Sequence, residues 1–150
     1  MRKYVAAMAA MAMPAALAAQ AVAPGNEVDR VSLSPGDAVL FAIVEGEDHQ
    51  ILKVRAEGEA ARNAALRDGE IRLAFSYDGK QSKLLMENGL GYPVTFDTLA
   101  DRSGNGGFKG LGEATVPADA NGVVGTWTFP IATLNVGHFE QAPHGKRKHP

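Results

Sequence analysis

Short turn signals cut this chain so often that long helices have no room to form. Asp68-Gly69, Asp78-Gly79, Asn88-Gly89, Asn105-Gly106 and Asn121-Gly122 each pair a residue that tolerates positive φ with a glycine. No later segment keeps a helical period. The stretches between the turns have strand character instead: Ala38 to Val44 is a nearly continuous apolar run, and Ile51 to Ala56 alternates loosely. Ile71, Leu73, Phe75 and Tyr77 alternate with Arg72, Ala74, Ser76 and Asp78. Lys83 to Glu87, Pro93 to Asp97, Glu113 to Val116, Gly122 to Phe129 and Ile131 to Phe139 complete a set of roughly eight strands. Such a series predicts an all-β chain folded as an antiparallel β-sandwich, immunoglobulin-like in general character but without a cysteine pair.

Only Glu59 to Arg67, rich in alanine and leucine, favours helix, and it amounts to about two turns. Gly25 to Arg30 and Gln141 to Pro150 read as loose ends. No internal repeat or domain boundary is visible. A transmembrane β-barrel would need longer strands of about ten residues with aromatic girdles, so the pattern favours a soluble sandwich. Trp127, flanked by Thr126 and Thr128, is the expected central core residue.

The first residues differ from the rest. Arg2 and Lys3 precede an uncharged stretch from Tyr4 to Ala19, and Ala19-Gln20-Ala21 supplies small residues at −3 and −1 of a cleavage site. That is the pattern of a secretory signal peptide, and it divides the chain into a signal at 1–21, one sandwich domain at 22–140 and a basic, histidine-containing tail at 141–150. Cleavage removes two of the 15 basic residues against 17 acidic ones, together with Met1, Met8, Met11 and Met13. Met86 alone remains, so a methionine-rich copper site is excluded. Absence of cysteine excludes lipid attachment through a thiol, disulfides and thiolate metal sites. The expected location is the periplasm or the cell exterior of a bacterium, with no stable membrane insertion after cleavage.

The glycine-rich stretch from Asp101 to Glu113 comes nearest to a site. Asp101, Ser103 and Asn105 are spaced as the first oxygen ligands of a calcium loop, but Gly112 stands where the closing carboxylate belongs and Glu113 falls one place late. The expectation is a long sandwich loop able to contact a partner through Asp101, Ser103, Asn105 and Glu113. No phosphate-cradling motif opens a helix there. Of His49, His138, His144 and His149, only His138 lies in a predicted strand; His144 and His149, beside Lys146, Arg147 and Lys148, are weak metal candidates. Glu45, Glu47 and Asp48 read as solvated turn charges. No nucleophile elbow and no zinc-protease motif occurs, so no catalytic residue is assigned.

Net charge of −2 gives no reason to expect nucleic acid as a partner. The resulting expectation is an exported, non-catalytic sandwich protein, without a cofactor, that binds an envelope protein or a saccharide through its surface. The alternatives are a small periplasmic enzyme with no recognisable motif and a weak metal-handling protein. A deep polar cleft would favour the enzyme; an exposed sheet edge or apolar patch would favour the binder.

Overall fold

The computed structural model describes residues 27–45 and 50–142, and among them ten strands and one short helix. In chain order the strands are β1 (Glu27–Val28), β2 (Arg30–Leu33), β3 (Ala38–Glu45), β4 (Gln50–Glu57), β5 (Glu70–Tyr77), β6 (Ser82–Asn88), β7 (Val94–Asp101), β8 (Lys109–Val116), β9 (Asn121–Trp127) and β10 (Thr133–Gln141). Helix α1 (Glu59–Asn63) joins β4 to β5. Six strands form one sheet in the order β9-β6-β5-β3-β4-β1, and four form a second in the order β2-β10-β7-β8. Every pairing is antiparallel. The stretch expected as a signal, Glu47, Asp48, His49, His144 and His149 lie outside the described residues.

Alternation decides which face each strand buries. In the large sheet Val39, Phe41, Leu52, Val54, Ile71, Leu73, Phe75, Leu84 and Met86 turn inward; the small sheet answers with Val31, Leu33, Val94, Phe96, Leu134, Val136 and Phe139. Phe139 ties the layers together. Its ring centroid is 5.3 Å from that of Phe41, edge to face, and 5.3 Å from that of Phe96. Phe41 belongs to the large sheet and Phe96 to the small one, so three rings bridge the sandwich.

The outer face of the large sheet carries a second, smaller apolar cluster, in which Ala38, Leu40 and Ala56 pack under Ala61 of α1. A helix of five residues cannot hold itself. Two arginines from the sheet fix it: Arg72 donates to the carbonyls of Ala61 at 3.1 Å and Ala64 at 2.6 Å, and Arg55 to that of Ala65 at 2.8 Å. These are the carbonyls that a helix end leaves without partners. Arg55 also grips Glu70 through both carboxylate oxygens, at 2.6 and 2.9 Å, and Arg67 N–H donates to the same carboxylate. Glu70 is only 5% exposed, so its charge depends on that clamp.

Several expectations need correction. The segment read as loose, Gly25 to Arg30, contains β1 and the first residue of β2, a strand too short to show a period although it buries Val31 and Leu33. Helix α1 ends at Asn63, short of the expected Arg67. Strand β7 runs on to Asp101, and β8 begins at Lys109, inside the expected loop. Strand β10 reaches Gln141, and Ala142 N–H still donates to Pro93 O at 2.9 Å. Trp127 is half-buried at the end of an edge strand and is not the centre of the core; that place belongs to Phe139. Tyr77 is 38% exposed, because its strand ends there. Asn88, read as part of a turn pair, ends β6 and is buried: it donates to Pro117 O at 2.9 Å and accepts from Leu90 N–H at 2.9 Å, fastening two loops.

Two outcomes follow from this packing. Phe139→Ala is expected to cost about 3 to 5 kcal/mol in denaturant unfolding, the range for an emptied aromatic core site, and Trp127→Ala distinctly less. Equal losses would contradict the placement of Trp127. The hydrogen bonds from Arg55 hold the Glu70 carboxyl below the usual carboxylate range, against an opposing push from burial. A lowered folded value means that the stabilisation is present above the unfolded value of about 4.3 and is lost as pH falls through the folded one. Acid unfolding followed by circular dichroism should therefore become shallower in Glu70→Gln below about pH 4.

Candidate functional site

Asp101 closes β7 and is 4% exposed. One carboxylate oxygen accepts from Gly104 N–H at 3.0 Å and Asn105 N–H at 3.2 Å, and the other from Gly106 N–H at 2.8 Å. Asn105 in turn accepts from Gly107 N–H at 2.9 Å. The side-chain oxygens spaced like cation ligands therefore organise the loop's own backbone. Ser103 is exposed in that loop. Glu113 lies elsewhere, within β8 and opposite Asp97 in register. The four residues expected to act together are thus divided between a loop and a strand, and among the described residues no three histidine or acidic side chains converge on a cation position.

The outer face of the small sheet holds a polar row that sequence reasoning missed. Gly137 of β10 has no side chain, and a Cβ there would lie 2.4 Å from Arg30 Cγ. Arg30 therefore lies across β10 and donates to Asn135 on that strand and to Asp97 on the next. His138 follows Gly137 with φ of +62°, an uncommon conformation for a residue with a side chain. It marks a bulge at which the β7 register jumps between Gly137 and Glu140. His138 Nδ1 is 3.3 Å from Asp97 and Nε2 is 3.5 Å from Glu140. An isolated glycine within a strand pattern was the available sign of that bulge.

The third feature is the side of the sandwich where β8 and β9 are the edges of their sheets. Both edges are bulged. Leu111 is the extra residue of β8 and Val124 that of β9, and both are half-buried against the core. They line a slot of about 180 Å³ with Leu84, Phe96, Thr98 and Trp127. Trp127 folds back over Gly125, where a Cβ would come within 2.5 Å of the indole. Glu113 reaches the same slot. One of the four expected residues therefore borders the opening, although not with the loop.

The Trp127 end of β9 is tied to its neighbours. Ser82, the register partner of Trp127, donates to Phe129 O at 2.8 Å, and the Arg102 guanidinium sits 3.7 Å above the Phe129 ring centroid. Lys80 lies in the β5–β6 turn, Lys83 stands on the outer face of β6, where Ser82, Leu84 and Met86 turn inward, and Lys109 opens β8. Asp78 in that turn accepts from the Lys80 and Gln81 backbones at 2.8 and 2.7 Å, bonds that hold its carboxyl below the usual range. Ion pairs within 4 Å among the described residues engage Arg30, Arg55, Arg62, Arg72 and His138, and Lys83 acts electrostatically on Asp78.

Comparison of the chain with protein-family models, with curated proteins and with solved structures finds no match in any of the three.

Asp101→Ala should speed amide hydrogen exchange at Gly104, Asn105 and Gly106 while exchange in β3 and β5 stays slow, because the acceptor lost serves only the loop. Calcium at about 1 mM should leave the wild-type Tm unchanged, whereas a site holding 100 times its Kd would add about 2.7 kcal/mol.

Proposed function

We propose that the chain is an exported, non-catalytic binding module of the bacterial periplasm or cell exterior, which meets its ligand on the open side between β8 and β9. One observation carries the reading: both edges bulge there, so Leu111 and Val124 stand half-buried around a slot that leads to Phe96 in the core. The two partners expected of an exported sandwich acting through its surface are an envelope protein and a saccharide, and the edge geometry favours the second. An added protein strand needs a regular ladder, and bulges interrupt it on both edges. A sugar instead needs an apolar wall with polar groups beside it. Trp127 and Leu111 supply the wall, and Thr98 and Glu113 the polar groups. Export rests on Arg2, Lys3, the uncharged run and Ala19-Gln20-Ala21. No helix among the described residues is long and apolar enough to cross a membrane.

A second reading, a small hydrolytic enzyme, has the His138–Asp97 pair in its favour, since an acid at Nδ1 orients an imidazole for proton transfer. Against it, Nε2 faces Glu140, and the side chain is 66% exposed.

The tests separate these readings. The protein recovered from the envelope should begin at Val22 by mass. Addition of solubilised envelope polysaccharide should slow hydrogen exchange in β8 and β9; Leu111→Arg should remove that protection and His138→Ala should leave it. Hydrolytic turnover lost in His138→Ala would overturn the non-catalytic reading.

A further inference from the structure

We infer that the outer face of the large sheet, over β5, β6 and β9, is where a second copy of this chain docks, face to face and with the two β6 strands antiparallel. The surface is separate from the slot, and the inference does not rest on the binding reading above. Helix α1 covers the part of this face over β3 and β4, where Ala38, Leu40 and Ala56 pack under Ala61. Beyond the helix the face is open. Leu85 is 41% and Val123 53% exposed, and the two are register partners. The other large apolar side chains exposed among the described residues are Tyr77, at the end of β5, and Phe108, before β8. Ala74 stands opposite Leu85 on its other side and extends the pair into an apolar row across three strands. Beside the row lies a hollow of about 200 Å³ bounded by Arg72, Ala74, Leu85, Glu87 and Gly122, which a side chain projecting from an identical row can enter.

The rows on either side make the face complementary to itself. Asn121, Glu87 and Arg72 are in register on one side of the apolar row, and Thr126, Lys83 and Ser76 on the other. Along β6 the outward residues are Lys83, Leu85 and Glu87, since Ser82, Leu84, Met86 and Asn88 turn inward. A two-fold axis along the apolar row reverses β6, so that Leu85 meets Leu85 and Lys83 of each copy meets Glu87 of the other. An axis along the strands would set Lys83 on Lys83 and Glu87 on Glu87, which like charges oppose. Arg72 is drawn under the helix end by its bonds to Ala61 and Ala64 and is 14% exposed. Glu87 receives it through Oε1 at 2.8 Å and keeps 39% of its side chain exposed, so the outward charge of that row is the carboxylate. Lys83 acts on Asp78 electrostatically and is in no ion pair within 4 Å among the described residues.

Contact of this kind packs side chains between sheets and needs no ladder at the bulged edge of β9. Three strands about 4.8 Å apart give a strip about 15 Å wide. That is small for a specific interface, so the pair is a weak one that forms at high protein concentration. The same axis sets the open sides between β8 and β9 of both copies on one flank.

Sedimentation velocity of the mature protein over a dilution series measures the pair. Wild type is expected to show a reversible monomer–dimer equilibrium, and Leu85→Glu a monomer throughout, with Tm unchanged because Leu85 is on the surface. Lys83→Glu and Glu87→Lys each set like charges against one another across the axis, so each alone is expected to associate about tenfold more weakly or worse. Mixed in equal amounts, the two variants carry complementary rows, and association is expected to return. Because Glu87→Lys also loses the bond to Arg72, salt supplies an independent reading: added salt weakens the wild-type pair and strengthens that of Lys83→Glu. A wild type that is monomeric at every concentration overturns the inference, as does a dimer that Leu85→Glu leaves intact. A mixture that associates no better than its components, with salt acting in the same direction on wild type and Lys83→Glu, overturns the antiparallel arrangement. Wild-type monomer that instead binds phosphatidylglycerol vesicles, and loses them in Leu85→Glu, assigns the face to a membrane and overturns the inference too. None of these outcomes bears on the slot, whose test is exchange protection of β8 and β9.

Discussion

The three-ring contact of Phe41, Phe139 and Phe96 is the point on which the two sheets agree. Phe139 reaches it only because β10 breaks its own alternation. Val136 faces the core, and a regular strand would next bury residue 138 and expose residue 139. The left-handed turn of the backbone at His138 inserts one residue, so that the imidazole goes to solvent and the phenyl ring goes inward. The strain of that conformation, on the order of 1 to 2 kcal/mol, is small against the burial of an aromatic side chain between two sheets. The polar row of Arg30, Asp97 and His138 is the outer side of the same event.

The same device recurs in three other strands. In β4, Arg55 is the extra residue, which frees it to clamp Glu70 and the end of α1. In β8 and β9 the extra residues are Leu111 and Val124. Each bulge changes which face a strand presents partway along its length, and each one places a residue that strict alternation would have put elsewhere. The helix clamp, the exposed histidine and the slot beside Trp127 share this origin.

Periodicity made the sheets legible but not the phase changes. Ile71, Leu73 and Phe75 alternate cleanly in the sequence and are all buried in β5, and Asp78-Gly79 marks its turn correctly, with Gly79 at φ of +94°. Strands with interior glycines were harder. Gly110 and Gly112 read as loop, yet both lie within β8, since a bulged edge strand accepts a glycine at φ of +115°. Trp127 read as core because aromatic residues flanked by threonines usually are; its half-exposed position depends on β9 being an edge, which only the strand order reveals. Asp101 was visible as a potential ligand, but three backbone donors already occupy its oxygens, a long-range consequence of loop geometry. The meeting of Arg30 with Asp97 spans 67 positions of sequence, and no local pattern announces it.

Edge strands must avoid pairing with other chains, and bulges do this by spoiling the ladder. In this sandwich the protection has a second effect. The residue inserted into β8 is an aliphatic one that leans toward the slot, and so is the residue inserted into β9, so the two bulged edges are also walls of a slot that leads to the core. A closed sandwich would have covered Leu111, Val124 and Trp127 with a further strand. Leaving them half-buried costs part of their transfer free energy, about 25 cal/mol for each Å² of apolar surface left wet. A ligand that covers them recovers that free energy without any rearrangement of the sheets. The side where bulges interrupt both edge ladders is therefore the side on which the proposed ligand would meet side chains instead of backbone.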